Sequence, residues 1–216
     1  MKEIYNYINE KLRLNRNFKN YSETPTTRLE LIKILYKRLS ENRHRTINLN
    51  DIDVSKIDDM NLLFANGFIS SDILKPFREI DISEWNVSNL VNAEKMFKDC
   101  KNINFDLSSW DVSNLKNGYG MFNGCESFNC DLSRWNIENL ENANSMFFGC
   151  KNFNSDLSGW NTKNLISATA MFAGCNKLNF DASNWDNSKL KAHKWMFSNT
   201  ELINDVKNLP KWYLSK

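Results

Sequence analysis

The sequence contains few of the residues from which catalytic sites are usually built. Only two histidines occur among 216 residues, His44 and His193, and no acidic or cysteine partner recurs at a spacing typical of a triad. With seven glycines, the chain also lacks a glycine-rich phosphate loop of the dinucleotide-binding or Walker type. We therefore predict that the protein is not an enzyme and that it has no catalytic residues and no cofactor.

Metal-binding patterns are also missing. No C-x-x-C pair of the kind that holds zinc occurs, and no D-x-D-x-D-G calcium loop occurs. Of the five cysteines, Cys130 stands apart, while the other four recur every 25 residues: Cys100, Cys125, Cys150 and Cys175. We predict a packed column of thiols, with disulfides or a bound metal as the alternatives, and we predict no metal site.

Long hydrophobic runs are absent as well. No stretch of about 18 apolar residues could span a bilayer. The first residues, Met1 to Tyr5, are followed by polar residues, without the apolar core and small-residue cleavage site of a secretory signal. On these grounds we expect a cytoplasmic protein without a membrane span.

Positive charge is concentrated at the start of the chain. Residues 1–46 hold eleven Lys or Arg against five Glu, whereas the rest of the chain is net negative. Apolar spacing predicts helices over residues 2–14 and from Thr27 onward, where Glu30 completes a capping box. The second helix carries basic side chains that predict either a solvated cap or a contact with nucleic acid, and four of them are candidate binding residues: Arg28, Lys37, Arg38 and Arg43.

The dominant feature of the sequence is a repeat of 25 residues. Tryptophan recurs at positions 85, 110, 135, 160 and 185, and each is followed by a Met-Phe pair, with the Met eleven and the Phe twelve residues later. Such a fixed period is typical of a stacked solenoid. Within each unit we predict a short strand around the D-x-S-x-W segment and a helix carrying residues such as Leu115 and Met121, ended by a glycine such as Gly124.

The repeat divides the chain into four parts. We predict a basic helical N-terminal cap over residues 1–46, a degenerate first repeat with an insert over 47–80, five repeats over 81–199 and a C-terminal cap over 200–216. The insert is too apolar for a free loop and is expected to fold back against the stack. The Asp and Asn columns of the repeats, led by Asp81 and Asn104, are expected to be hydrogen-bonded ladders, with calcium binding as the alternative for the Asp column.

The repeated unit M-F-x-x-C-x-x-F-N-x-D-L-S-x-W-D-V-S-N-L, clearest from Met96 to Leu115 and from Met121 to Leu140, resembles the BspA-like leucine-rich-repeat surface proteins of bacteria. The resemblance covers about residues 51–199. It implies an α/β solenoid, a leucine-rich-repeat-like stack of strand-plus-helix units, in a family described as adhesive and cell-surface. It brings no catalytic residues with it.

One position of the repeat varies while its neighbours are constant. The residues immediately before the tryptophans differ in charge and size, as a binding surface on a fixed frame would: Glu84, Ser109, Arg134, Gly159 and Asn184. We therefore expect a non-catalytic protein-protein interaction module. The alternatives are nucleic-acid association through the basic N-terminal helices, or a small intracellular inhibitor, of the kind that a mobile element encodes, that binds a host enzyme.

Overall fold

Regular secondary structure lies towards the two ends of the chain. The structure is a computed structural model that describes residues 21–65, 69, 71–102 and 105–214, so the helix expected over residues 2–14 lies outside the described residues. The elements are listed here in chain order: helix α1 (Arg28–Glu41), strand β1 (Thr46–Asn48), helix α2 (Ser71–Leu74), strand β2 (Glu79–Asp81), 3₁₀ helices η1 (Leu202–Asn204) and η2 (Val206–Asn208), and helix α3 (Lys211–Leu214). Between residues 82 and 201, the described residues form turns and isolated bridges only.

Helix α1 begins where the sequence predicts. Thr27 is its N-cap, and the Thr27 hydroxyl accepts a hydrogen bond from the Glu30 N–H at 3.3 Å. The Glu30 carboxylate reaches back and accepts the Thr26 N–H at 2.8 Å, which completes a capping box one residue earlier than the usual pairing. Leu31, Leu35 and Leu39, spaced four residues apart, are buried against the first repeat, so the helix covers that end of the core.

The apolar insert packs against the molecule, as the sequence predicts. Ile69 and Phe77 are almost fully buried, and helix α2 contributes the buried side chain of Leu74. The chain then enters β2, which pairs in parallel with β1, with Ile47 opposite Ile80. The insert therefore joins two strands that lie side by side, which places the first two repeats in register.

Each 25-residue repeat forms one layer, and each layer is a series of tight turns. In the layer around Trp110, the Trp110 N–H donates to the Leu107 carbonyl at 3.1 Å, and the Leu115 N–H donates to the Val112 carbonyl at 2.9 Å. These are hydrogen bonds between residues three apart, typical of β-turns. The same bonds recur at the equivalent residues of the neighbouring layers.

The segment for which we expected a helix has a different conformation. We call it the row of each layer, and the complete rows cover residues 93–99, 118–124, 143–149, 168–174 and 193–199. Within a row, two residues four apart have positive φ, as Gly120 (58°) and Gly124 (75°) do. A right-handed α-helix cannot contain these left-handed residues, so the prediction of a helix carrying Leu115 and Met121 is wrong. The glycines have the predicted positive φ, but they lie in turns of the row and not at the end of a helix.

The N–H groups of a row leave the layer and donate to the row of the next layer. Between rows 118–124 and 143–149, the N–H groups of Gly118, Gly120, Phe122 and Gly124 donate to the carbonyl oxygens of Asn142, Asn144, Met146 and Phe148 at 2.8 to 2.9 Å. The degenerate repeat contributes an incomplete first row, residues 60–65. With it, five such interfaces occur from Met60 to Ser198, and all of these bonds run in the same direction. Parallel bridges beside the rows, such as Asn117 with Asn142, hold the same register.

The core consists of aromatic side chains in files that cross the layers. Phe122 stacks on Phe97 and Phe147 with ring centroids 5.4 and 5.2 Å apart and interplanar angles of 7° and 13°. The file continues at both ends with Phe64, Phe172 and Phe197. Successive repeats therefore bury their apolar side chains against their own copies, which is how repeats too small to fold alone acquire a shared core.

The strand expected around the D-x-S-x-W segment is present only at its first occurrence, where β2 contains Asp81. In the later repeats, the described residues of this segment form turns, in which the Asp side chain binds the backbone two residues on, as the Asp81 side chain also does at the end of β2. The Asp131 carboxylate accepts the Ser133 N–H at 2.9 Å, and the Asp156 carboxylate accepts the Ser158 N–H at 3.0 Å. This side-chain bond closes an Asx-turn.

Two short segments cover the ends of the stack. At the start, the backbone around Glu23 pairs with Ile52 of the degenerate repeat. At the end, the Trp212 indole N–H donates to the Trp185 carbonyl at 2.8 Å, and the Tyr213 ring meets the Phe197 ring edge-on at 5.2 Å. Leu202 and Leu209 are buried there.

Candidate partner-binding surface

The five variable residues form one exposed column. They are Glu84, Ser109, Arg134, Gly159 and Asn184, and each lies in a turn that is closed by the tryptophan after it. All five are exposed, whereas the tryptophans beneath them are only 3 to 4% exposed. A Cβ atom added at Gly159 would meet no atom within 4 Å. The structure therefore brings this set of predicted binding residues together on one side of the stack.

The frame under the column is held by the tryptophan side chains. The Trp135 indole N–H donates to the Leu107 carbonyl at 2.9 Å, and the Trp160 indole N–H donates to the Leu132 carbonyl at 3.0 Å. Each indole thus binds the backbone of the preceding layer, directly below an exposed variable residue. Because a buried indole needs a hydrogen-bond acceptor, this contact fixes both the ring and the turn above it.

The Asp column is a ladder of local hydrogen bonds, as expected for the hydrogen-bonded alternative. Hydrogen bonds from the Ser two residues on lower the pKa of Asp106, Asp131 and Asp181. The physical cause is that these hydrogen bonds favour the charged carboxylate. Calcium is therefore not needed to explain the carboxylates. Asn129 and Asn154 form a similar ladder, in which the Asn129 side-chain oxygen accepts the Asn154 N–H at 2.9 Å; Asn104 lies outside the described residues.

Two of the four basic candidates make contacts within the protein. The Arg28 guanidinium Nε donates to the Asn61 carbonyl at 3.0 Å, at the carbonyl edge of the first row. Arg38 donates two hydrogen bonds of 3.1 Å to the Asp51 carboxylate, which raises the pKa of Arg38 and lowers that of Asp51. These two arginines therefore hold the N-terminal cap on the first layer.

The other two basic candidates are exposed. Lys37 lies on the outer surface of α1, and Arg43 follows the end of that helix. The four predicted residues thus do not form one exposed cationic patch, because Arg28 and Arg38 are half-buried in their bonds to Asn61 and Asp51. Helix spacing alone could not predict this difference, since the acceptors lie in the first repeat.

The four column thiols are buried, and each binds a backbone carbonyl of the preceding layer. The Cys125 thiol donates to the Phe97 carbonyl at 2.9 Å, and Cys150 donates to Phe122 at 3.0 Å. Cys130 lies elsewhere: its sulfur accepts the Leu107 N–H at 3.2 Å, and burial raises the pKa of this thiol to about 11. All five thiols are free, in agreement with the packed column expected.

Among the described residues, no group of three or more His, Cys, Asp or Glu side chains is placed to hold a metal ion. Within the same residues, the longest helices are too short or too polar to cross a bilayer.

Sequence reasoning missed several exposed apolar side chains. Trp195 is 67% exposed and Phe148 is 46% exposed. One signal was available for Trp195, because it falls ten residues after Trp185 and so lies outside the tryptophan column. It lies in the last row, where it has a φ of 58°. The equivalent residues of the other complete rows are Lys95, Gly120, Ser145 and Ala170.

Comparison with known proteins gives one family. The family described as "Mycoplasma protein of unknown function, DUF285" matches twice, over residues 33–155 and 135–216. The two overlapping matches, which together reach from residue 33 to the last residue, are those of a repeat-type bacterial protein. No curated protein and no solved structure matches the chain. The chain therefore belongs to the family of Mycoplasma proteins of unknown function, DUF285.

Proposed function

We propose that the chain is a non-catalytic protein-binding module whose layers form a leucine-rich-repeat-like solenoid of the BspA type. The observation that carries this proposal is the column of five exposed, variable residues above buried and constant tryptophans. A scaffold whose packing fixes its frame leaves its surface residues free to differ, and repeat proteins use such surfaces to bind other proteins. The DUF285 family occurs in BspA-like surface proteins, which supports the same reading.

The chemistry of the column favours a protein partner. It presents a carboxylate at Glu84, a guanidinium at Arg134 and an amide at Asn184, so its formal charges cancel. A surface that binds nucleic acid needs a clear excess of positive charge, because most of that affinity comes from phosphate neutralisation. Mixed charge with an open position at Gly159 fits a polar, shape-dependent protein contact instead.

Photocrosslinking from the column tests the proposal. A photoreactive phenylalanine analogue at position 159 would replace Gly159, where an added Cβ meets no atom within 4 Å, so the fold should tolerate it. In cells of the bacterium that makes the chain, we expect position 159 to crosslink one protein species. The matched control carries the same analogue at the exposed Lys116, which lies outside the column.

The control decides the outcome. A crosslink from position 159 that is absent from position 116 supports binding by the column. Equal products from both positions, or none from position 159, would contradict it. Adding Arg134→Glu to the position 159 variant should remove the product, because it reverses the charge one layer away.

Nucleic-acid association through α1 is the competing proposal. It is tested by substituting basic residues that are exposed and make no contact that holds the fold. Arg38 is a poor choice because Arg38→Glu would also break its pair with Asp51 and loosen α1. Lys37→Glu with Arg43→Glu changes only exposed charges. If the chain binds generic DNA or RNA in a salt-dependent manner and this double variant does not, the competing proposal is correct. The inhibitor alternative is recognised by the identity of the crosslinked protein.

A further inference from the structure

The last layer exposes a row of backbone donors that no other row follows among the described residues. At the interface before it, the N–H groups of one row donate to the carbonyl oxygens of the next at 2.7 to 2.9 Å, in the pairs Ala168–Ala192, Ala170–Lys194, Phe172–Met196 and Gly174–Ser198. The carbonyl groups of the last row are therefore used. Its equivalent N–H groups, which point away from the stack, belong to His193, Trp195, Phe197 and Asn199.

One of these four N–H groups has an acceptor in the described part of the chain. The Phe197 N–H donates to the Tyr213 hydroxyl at 3.5 Å, which is a long hydrogen bond. Those of His193, Trp195 and Asn199 donate to no acceptor within the described residues. Unpaired N–H groups in register at the edge of a ladder bind another chain's carbonyl groups, and native proteins usually cover such edges.

Trp195 adds an apolar contact to this edge. Its side chain is 67% exposed, and its φ of 58° is costly for a bulky residue, by about 1 kcal/mol or more. The preceding rows have Ser145 and Ala170 at the same position. The other rows have a positive φ at this position too, so the distinguishing feature of the last row is its large exposed aromatic side chain, a type enriched at the energetic centres of interfaces.

We propose that this C-terminal edge, formed by the N–H groups of residues 193–199 and the Trp195 side chain, binds a partner segment with the repeat's own row sequence. That sequence is an Asn followed four residues later by Met-Phe, as in Asn142 to Phe147. The five inner interfaces carry the argument, because each pairs the same edge with the carbonyl groups of a row that contains Met-Phe, and in three of them that row has the Asn four residues earlier. This surface is separate from the variable column and extends the proposed function.

The partner segment has to displace part of the C-terminal cover, in which the Trp212 ring meets the His193 ring edge-on at 5.2 Å and the Tyr213 ring meets the Phe197 ring edge-on at 5.2 Å. The Tyr213 hydroxyl occupies the Phe197 position of the edge, but its bond is 3.5 Å long, whereas the inner rows pair at 2.7 to 2.9 Å. A second copy of this chain is less suitable as the partner. Its first row is the one with a free carbonyl side, and Arg28 already binds the Asn61 carbonyl there, beneath helix α1.

A tethered row tests the proposal in the full chain. A second copy of residues 141–150 is joined to the C terminus through a flexible Gly-Ser linker, which gives an effective concentration in the millimolar range. We expect amide exchange at Trp195 and Asn199 to slow about tenfold or more. The control is the same tether with residues 141–150 in scrambled order, and the Gly174 amide, already bonded at 2.9 Å, is the internal reference.

Variants and concentration distinguish the outcomes. Trp195→Glu in the tethered chain should restore fast exchange, because it removes the apolar contact and places a carboxylate opposite the carbonyl groups. Equal exchange with the native and scrambled tethers overturns the proposal. Protection that appears without a tether and grows with protein concentration also overturns it, in favour of a second copy of the chain. The exchange results do not depend on the crosslink from position 159. The proposal for the variable column and the proposal for the C-terminal edge can therefore fail independently.

Discussion

At the scale of single residues, position in the stack decides what a side chain contributes. Phe122 and Phe148 lie in adjacent rows, yet Phe122 is fully buried and Phe148 is 46% exposed. Phe122 has ring partners on both sides, with Phe128 at 4.3 Å and Phe147 at 5.2 Å. Its removal therefore leaves a cavity bordered by three layers.

We predict that Phe122→Ala lowers the free energy of unfolding by about 3 to 5 kcal/mol, the usual cost of a large buried cavity. The matched control, Phe148→Ala, should cost less than about 1 kcal/mol, because that ring is half in water. Urea unfolding followed by tryptophan fluorescence measures both. Similar losses for the two variants would mean that the Phe file is not the core.

The Asp residues of the repeat make stability dependent on pH. Hydrogen bonds from Ser133 lower the pKa of Asp131 in the folded chain below its ordinary value of 3.8. A lowered folded pKa means that the stabilisation is present above the unfolded pKa and is lost as the pH falls through the folded pKa. The pKa values of Asp106 and Asp181 are also lowered in the folded chain, so these residues contribute to the same loss of stability at low pH.

We therefore predict that the urea midpoint falls as the pH is lowered from 5 to 2. Asp131→Asn keeps an acceptor for the Ser133 N–H but cannot titrate, so it should reduce this fall while leaving the midpoint at pH 7 nearly unchanged. The measurement is a series of urea transitions at several pH values. A variant with the same pH dependence as the parent chain would exclude Asp131 as a source.

At the scale of elements, the N-terminal cap contains a regular helix, whereas the rows, all within the described residues, form no helix or strand. Helix α1 has a complete capping box and one buried face, so it depends on local signals and on packing against the first layer. The rows have a non-helical conformation in which two residues four apart have positive φ. They depend on the neighbouring rows, which accept their N–H groups.

We predict that Thr27→Ala destabilises the N-terminal cap by about 1 kcal/mol, the usual loss for a missing N-cap side chain. Amide exchange within α1 should increase, while exchange in the central rows should not. Ser40→Ala, at an exposed residue near the other end of the helix, is the control and should have little effect. Equal exchange changes in α1 and in the central rows would contradict the view of α1 as a separately capped element.

The columns of equivalent side chains can be predicted from the sequence, because the repeat period shows which residues correspond. The backbone conformation between those columns cannot be predicted in the same way. Thr27 and Glu30 form a local signal, and the start of α1 is predicted correctly. The row from Gly118 to Gly124 has apolar residues that fit a helix, but its conformation is decided by bonds to residues 24 positions away. The Arg28 bond to Asn61 is equally non-local. Such tertiary hydrogen bonds override local preferences, and a single sequence does not display them.

At the scale of the whole molecule, the layers contact only their neighbours in the stack. The central layers present the same bonds on both sides, such as the donation from Phe122 to Met146 and from Phe147 to Met171, both at 2.8 Å. Stability should then be close to a sum over layers and interfaces. A deletion of 25 residues removes a complete layer and keeps the remaining bonds in register, whereas a deletion of another length shifts them out of register.

We predict that deleting residues 131–155, one complete repeat, leaves a folded chain with lower stability, because Cys130 then precedes Asp156 as it now precedes Asp131. Deleting residues 131–154 breaks the register by one residue and should prevent cooperative folding. Calorimetry and near-ultraviolet circular dichroism measure the difference. Equal behaviour of the two deletions would contradict the register that the interlayer bonds define.

The uniform direction of the bonds between rows has a consequence for how this gene can change. Because every inner layer offers the same donors above and the same acceptors below, an in-frame duplication of 25 codons inserts a layer that fits at once. Each such event lengthens the stack by about the spacing of the stacked phenylalanine rings, 5.2 to 5.8 Å, and leaves the two capping segments intact. Recombination between copies can thus adjust the reach of the protein in steps, without a need for new packing solutions.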